Sequence, residues 1–125
     1  MKIEPRLMEL RDNKANLINY WIEQFNDQFV DRFEYGILYK QGEALFEFFI
    51  DLHKPAEEHP IQWKVDEWCR IYNEMNVHII HIITGAHLWR KTFLEAGSDL
   101  VSLELYREIS YRIDQFERVL CECYW

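Results

Sequence analysis

Three histidines and a threonine stand inside the most apolar stretch of the chain. Between Val65 and Leu94, and most densely in NEMNVHIIHIITGAHLWRKTF from Asn73 to Phe93, the residues His78, His81, Thr84 and His87 interrupt a run of aliphatic and aromatic side chains. An imidazole can hold haem iron or zinc, exchange hydrogen bonds, or change charge near neutral pH. At ~100° per residue, His81 shares a helical stripe with Val77, Thr84 and Leu88. A neighbouring stripe carries Met75, Ile79, Ile82, Ala86, Trp89 and Phe93, and a third carries Ile80, Ile83, His87, Arg90 and Leu94. Apolar residues on all three predict a helix buried around most of its girth.

Three readings of His81 are open from the residues alone. It is a core histidine satisfied by a hydroxyl or carbonyl. Or it faces an internal polar chamber or a ligand head group together with Thr84 or Asn76. Or it is a proximal haem ligand, as imidazole is in globins. Zinc is the weaker idea, because His78 and His81 have no Cys or carboxylate at ligand spacing. Cys121-x-Cys123 lacks both the two-residue spacer and a second pair, and reads as packing. Gly85, inside the same helix, costs ~1 kcal/mol relative to alanine, so it marks a close approach by another helix or by a ligand.

Catalytic groups are not apparent. No nucleophile stands with a base, and the Glu57–Glu58 pair lies in a loop bounded by Pro55 and Pro60, where it reads as a solvated acidic patch. The chain is therefore expected not to be an enzyme. The aromatic residues Phe46, Phe48, Phe49, Trp63, Trp68, Trp89 and Phe93 either fill a core or line a long apolar tunnel, and composition does not separate the two.

The elements that would position these residues are all helical. Leu17, Ile18, Trp21, Ile22 and Phe25 follow helical spacing from a start near Asn13 or Lys14. Phe29, Val30, Phe33, Ile37 and Leu38 give a second, shorter pattern with Gly36 as a soft point. After Gly42 comes a strongly apolar helix from Ala44 to Leu52. A helix from about Val65 carries Trp68, Cys69, Tyr72 and Met75. The His-rich helix ends at Gly97, and Ser98 or Asp99 is placed to cap the last helix, expected from Leu100 to about Tyr124. Along that helix Tyr106, Ile109, Ile113, Phe116 and Leu120 repeat at the alternating spacing of a helix–helix seam. Arg107, Glu108, Arg112, Asp114, Glu117 and Arg118 fall off the seam and are expected in solvent. The narrow stripe favours a homodimer seam over packing on its own chain. The fold class is all-α, a bundle of five to six helices, with no alternating run that predicts a strand.

Composition narrows the partners. At 125 residues the chain is expected to form one domain with a sizeable core. With 14 basic against 22 acidic side chains, a net charge of −8 repels phosphate backbones, so no nucleic acid is expected. An odd count of 3 cysteines without framework spacing reads as a reduced, cytoplasmic protein. Glu4 and Pro5 interrupt any leader-like start. The longest nearly uncharged apolar stretch, Val77 to Trp89, is too short to span a bilayer, so no membrane insertion is expected.

LINYWIEQF (Leu17–Phe25), the Phe-rich central helix, ITGAHLWRKTF (Ile83–Phe93) with its Trp89-Arg90-Lys91, and the long terminal helix together resemble the non-haem globin sensor domains. Among these are RsbR-type N-terminal domains and, closer, the Bacillus sporulation-inhibitory sensor-domain proteins, which look like the sensor part of a sporulation histidine kinase. The resemblance spans most of the chain. It implies a globin-like bundle without haem that dimerises through its last two helices. It also implies a fatty acid in an apolar tunnel, chloride or another halide in a polar chamber, no obligate cofactor, and action on a sensor histidine kinase or its signal. Within the resemblance, Phe46, Phe49, Ile50, Trp68, Ile71, Tyr72, Met75, Ile79 and Ile82 are the tunnel candidates. Asn76, His81, Thr84 and Arg90 are the chamber candidates. A haem-binding gas sensor and a ligand-free interaction module are the alternatives.

Overall fold

The computed structural model describes residues 4–28, 33–51, 70 and 79–124. Within them the chain forms five helices: α1 (Glu4–Asp12), α2 (Lys14–Gln28), α3 (Tyr35–Ile50), α4 (Ile79–Glu95) and α5 (Leu103–Tyr124). No strand occurs among the described residues. None of the described helices is long and apolar enough to cross a membrane.

Each helix begins or ends for a local reason. Only Asn13 separates α1 from α2; its amide nitrogen Nδ2 donates to the Glu9 carbonyl at 2.8 Å, and its own carbonyl accepts from Leu17 N at 3.0 Å. The side chain thus closes the end of α1 while the backbone opens α2. At the end of α4, Ala96 N and Gly97 N both donate to the Thr92 carbonyl, at 2.9 and 3.1 Å. The Gly97 carbonyl then accepts from Leu100 N and Val101 N at 2.9 and 3.1 Å, and the chain reverses. The cap of α5 is Ser102, whose Oγ accepts from Leu105 N at 3.1 Å. Ser98 and Asp99, expected in that role, lie within the turn. The expected break near Gly36 and Gly42 is also absent: α3 runs unbroken from Tyr35 to Ile50.

Helix α2 sits between α3 and α4, and α4 in turn carries α5, which also reaches α3. The core is built from rings. Trp21 of α2 stacks on Trp89 of α4 at 5.7 Å with planes 13° apart. Phe46 of α3 packs on Trp89 at 5.6 Å and on Phe93 at 6.1 Å. Toward the other end, Phe48 and Phe49 meet Phe116 of α5 at 6.2 and 5.8 Å. Pairs of this kind add ~0.5–1.5 kcal/mol each beyond the area they bury.

Glycine lets the helices come this close. A Cβ at Gly42 would lie 2.9 Å from Trp21 Cε3 and 3.2 Å from Ile18 Cγ2. At Gly85 it would lie 3.2 Å from Trp21 Cζ2. The indole of Trp21 is therefore wedged between two glycines on two different helices. Its Nε1 donates to the Gly85 carbonyl at 2.8 Å, so the buried donor is satisfied.

Three expectations are corrected by this packing. Ile109, Ile113, Phe116 and Leu120 are each 0% exposed within a single chain, so this seam packs on α3 and α4 of its own chain and is not a dimer surface. Tyr106, the fifth seam residue, is half-buried. Arg112, expected in solvent, is buried with its guanidinium 5.9 Å from the Phe48 ring centroid. It falls three residues after Ile109 and one before Ile113, on the buried side of α5, and an aromatic face offsets part of the cost of drying its charge. Finally, the third stripe of α4 is mostly solvent-facing: Ile80 and Leu94 are 56% and 54% exposed and His87 is exposed too, while Ile83 is half-buried against the core.

Two outcomes follow from the fold. Gly42→Ala gains ~1 kcal/mol of helix propensity but drives a methyl into a buried, rigid indole, an overpacking cost of ~1–3 kcal/mol. Urea denaturation is expected to show net destabilisation, whereas Gly36→Ala, whose nearest atom would be Glu34 Oε1 at 3.5 Å, is neutral or stabilising. Separately, the Tyr20 hydroxyl donates to Glu95 across α2 and α4. That hydrogen bond, with desolvation and the charges of Glu95 and Glu23, raises its pKa above the ordinary 10.0. The clasp is thus intact below 10.0 and is lost as pH rises through the raised value. The difference in alkaline absorbance titration between wild type and Tyr20→Phe is expected to be centred above 10.0.

Candidate functional site

Helices α2, α3 and α4 enclose a side pocket at the end of the core where Trp21 and Gly85 meet. Its cavity volume is about 30 Å³, and it is open to solvent at its mouth. The described residues lining it are Trp21, Phe25, Phe33, Ile37, Leu38, Gln41, Leu45, His81, Ile82 and Gly85. They divide by depth. Trp21, Phe25, Leu38, Leu45, Ile82 and Gly85 are buried and form the floor, while Phe33, Ile37, Gln41 and His81 are half-buried and form the rim. Helical spacing places this set: Ile37, Leu38, Gln41 and Leu45 lie on one side of α3, and His81, Ile82 and Gly85 lie along the first turns of α4.

The rim is organised around one ring. Phe33 stands edge-on to His81, with centroids 5.4 Å apart and planes 80° apart, and lies 5.9 Å from Phe25. Gln41 and His81 bring the hydrogen-bonding side chains to an otherwise apolar lining. Among the described lining residues there is no Lys, Arg, Asp or Glu. Such a site can take apolar matter by burial and satisfy one polar group at its mouth. Among the described residues no group of three His, Cys, Asp or Glu converges as metal ligands do.

Few of the sequence candidates meet here. Of the tunnel set, Ile82 lines the pocket. Phe46, Phe49 and Ile50 do not: each is 0% exposed and built into the core, Phe46 against Trp89 and Phe93 and Phe49 against Phe116. At ~100° per residue Phe46 and Ile50 point away from the side of α3 that carries Ile37, Leu38, Gln41 and Leu45, and Phe49 lies one turn beyond Leu45. Trp68, Ile71, Tyr72 and Met75 lie outside the described residues, as does the side chain of Ile79. Of the chamber set, His81 is on the rim, Thr84 is half-buried outside the lining, and Asn76 lies outside the described residues.

Arg90 is a correction. Nine residues after His81, it projects from the opposite side of α4, at ~100° per residue. There Nη1 donates to Glu117 Oε1 at 2.9 Å, Nη2 to Asp114 Oδ1, and Nε to Ser110 Oγ at 3.3 Å. The guanidinium is neutralised by two carboxylates of α5 and ties that helix to α4, so it cannot share an anion chamber with His81. The residues that the sequence reading missed are Trp21, Phe25, Phe33, Ile37, Leu38, Gln41 and Leu45. Gln41 and Gly85 carried the available signal: a polar residue and a side-chain-free one, each inside an apolar helix.

Compared with protein-family models, curated proteins and solved structures, the chain matches none. What fold and site define is therefore a class: an all-α domain with an apolar side pocket between three helices.

The Arg90 cluster generates its own test. The side chains of Asp114 and Glu117 are 65% and 26% exposed, against 16% for Arg90. Screening by water is greater at Asp114, so a double-mutant cycle is expected to give Arg90–Glu117 the larger coupling, on the order of 1 kcal/mol, and Arg90–Asp114 the smaller.

Proposed function

We propose that the chain is a non-enzymatic sensor domain whose pocket between α2, α3 and α4 takes the hydrocarbon part of a small ligand, with a fatty acid as the first candidate. One observation carries this reading: a ring-walled apolar floor opens to a rim that bears an imidazole and an amide. The signal would pass to a sensor histidine kinase of the sporulation type, or act by withholding the ligand from it; that step rests on the family resemblance. Trp21 supplies the physical link, since it forms part of the pocket wall and is hydrogen-bonded to α4. A ligand that shifts the indole shifts α2 against α4.

In this reading the chain is a homodimer that uses the outward faces of its last two helices. Ile80, Leu94 and Leu103 are 56%, 54% and 67% exposed there, and the inward seam stays in the core.

Native mass spectrometry of freshly purified protein is expected to show a dimer with an added mass of fatty-acid size. After delipidation, a brominated fatty acid is expected to quench tryptophan fluorescence, because Trp21 lines the site. Ile37→Trp, which fills the mouth, is expected to weaken binding by about tenfold or more, equivalent to ~1.4 kcal/mol. Delipidated wild type that takes up no fatty acid would remove this reading. A retained haem mass would replace it with a haem sensor, and a bare, cavity-silent dimer would favour the interaction module.

A further inference from the structure

The outward side of α5 carries its charges in an order that has a consequence. Glu104, Arg107, Tyr111, Asp114 and Arg118 are all exposed, and they recur at alternating steps of three and four residues. At ~100° per residue they fall in a stripe about 80° wide, on the side of α5 opposite the buried Ile109, Ile113, Phe116 and Leu120. Along the helix the stripe runs acid, base, tyrosine, acid, base. Turning one copy end over end exchanges acids and bases about Tyr111. Two copies of α5 laid antiparallel, with a two-fold axis beside Tyr111, therefore bring Glu104 level with Arg118 of the other copy. Arg107 comes within one residue, ~1.5 Å along the helix, of the other copy's Asp114. Symmetry makes each contact twice. Laid parallel and in register, the same stripe sets acid on acid and base on base, which repel. Tyr111, 48% exposed, meets its own copy at the axis. Asp114 is 65% exposed although its Oδ1 already accepts from Arg90, and a carboxylate accepts at both oxygens. Net charge favours this face as well. Each chain carries −8, so two copies repel unless they meet where charge is balanced, and this stripe holds two acids and two bases.

We propose that α5 pairs antiparallel with α5 of a second copy of this chain, in the register centred on Tyr111. The contacts of Glu104 with Arg118 and of Arg107 with Asp114 between copies set direction and register, and Tyr111 packs on itself at the centre. This rests on the homodimer put forward above, and it names the face and the register that the dimer uses. Asp114 also holds Arg90 of α4, so the interface is tied to the helix that brings His81, Ile82 and Gly85 to the pocket.

The test is a charge exchange between two positions that cannot meet within one chain. Glu104 and Arg118 stand ~21 Å apart along α5. Sedimentation equilibrium of the full chain compares wild type, Glu104→Arg, Arg118→Glu and the double variant Glu104→Arg/Arg118→Glu. Wild type is expected to dimerise. Each single reversal turns two attractive contacts into two repulsive ones, and the dimer Kd is expected to rise by about tenfold or more. The double variant restores the match, and its Kd is expected to return to within about threefold of wild type. Both positions are exposed, so far-UV circular dichroism is expected to be the same in all four proteins. A dimer whose Kd ignores the single reversals overturns the α5 pairing and leaves the homodimer on another face. So does a double variant as weak as the singles, the result a parallel pair would give. A wild type that stays monomeric at every concentration removes the pairing and the homodimer together.

Discussion

The indole of Trp21 is the part on which the rest of the molecule depends. It is 2% exposed, bears on Gly42 of α3 and Gly85 of α4, stacks on Trp89, and donates its single N–H to a main-chain carbonyl of α4. One side chain thereby fixes the spacing of three helices. Hydrogen bond and shape act together. The bond sets which way the ring faces, and the glycines let two backbones close on it. Trp89 is held differently: among the described residues its Nε1 has no acceptor, so its position depends on the rings around it. A core anchored by one polar contact and otherwise by ring packing concentrates its specificity in few residues.

Around this centre the elements take up separate duties. Helices α2, α3 and α4 make the pocket. Helix α5 closes the far side, with Ile109, Ile113, Phe116 and Leu120 against the core and Arg112 laid over Phe48. Surface ties then join the same helices from outside. Arg11 and Lys14 reach Glu47 and Glu43 of α3, and Arg90 reaches Asp114 and Glu117 of α5. These ion pairs are exposed or half-exposed and contribute little each, so they fix the order of neighbours more than the stability.

Much of the fold was legible because helical periodicity is a local signal. A start of α2 near Asn13 or Lys14 and its buried set Leu17, Ile18, Trp21, Ile22 and Phe25 follow from spacing alone, and the helix begins at Lys14. The Gly97 turn was legible from a glycine at the end of an apolar run. Direction was harder to read. The α5 stripe was correctly apolar, but a stripe does not state whether it faces its own chain or another. Helix α3 is apolar on so many sides that its pocket-facing side cannot be told from its core-facing side by composition, so Phe46, Phe49 and Ile50 read as tunnel residues although they are core. Arg90 was grouped with His81 by character, although their angular separation puts them on opposite sides of α4. The pocket rim needed Phe33 and Gln41 brought onto α4 across the bundle, and such a tertiary approach leaves no trace in one helix's sequence.

The contact of Trp21 with Gly42 and Gly85 has an evolutionary corollary. Three positions far apart in sequence share one fixed volume, so their sizes are not independent variables. A lineage that gained a methyl at position 42 or 85 would retain the same helix spacing only by shrinking the ring at 21. That smaller ring would give up the hydrogen bond to the α4 carbonyl and recontour the pocket wall at the same stroke. Drift in the core of this protein is therefore drift in the shape of its pocket, and the two would be inherited together.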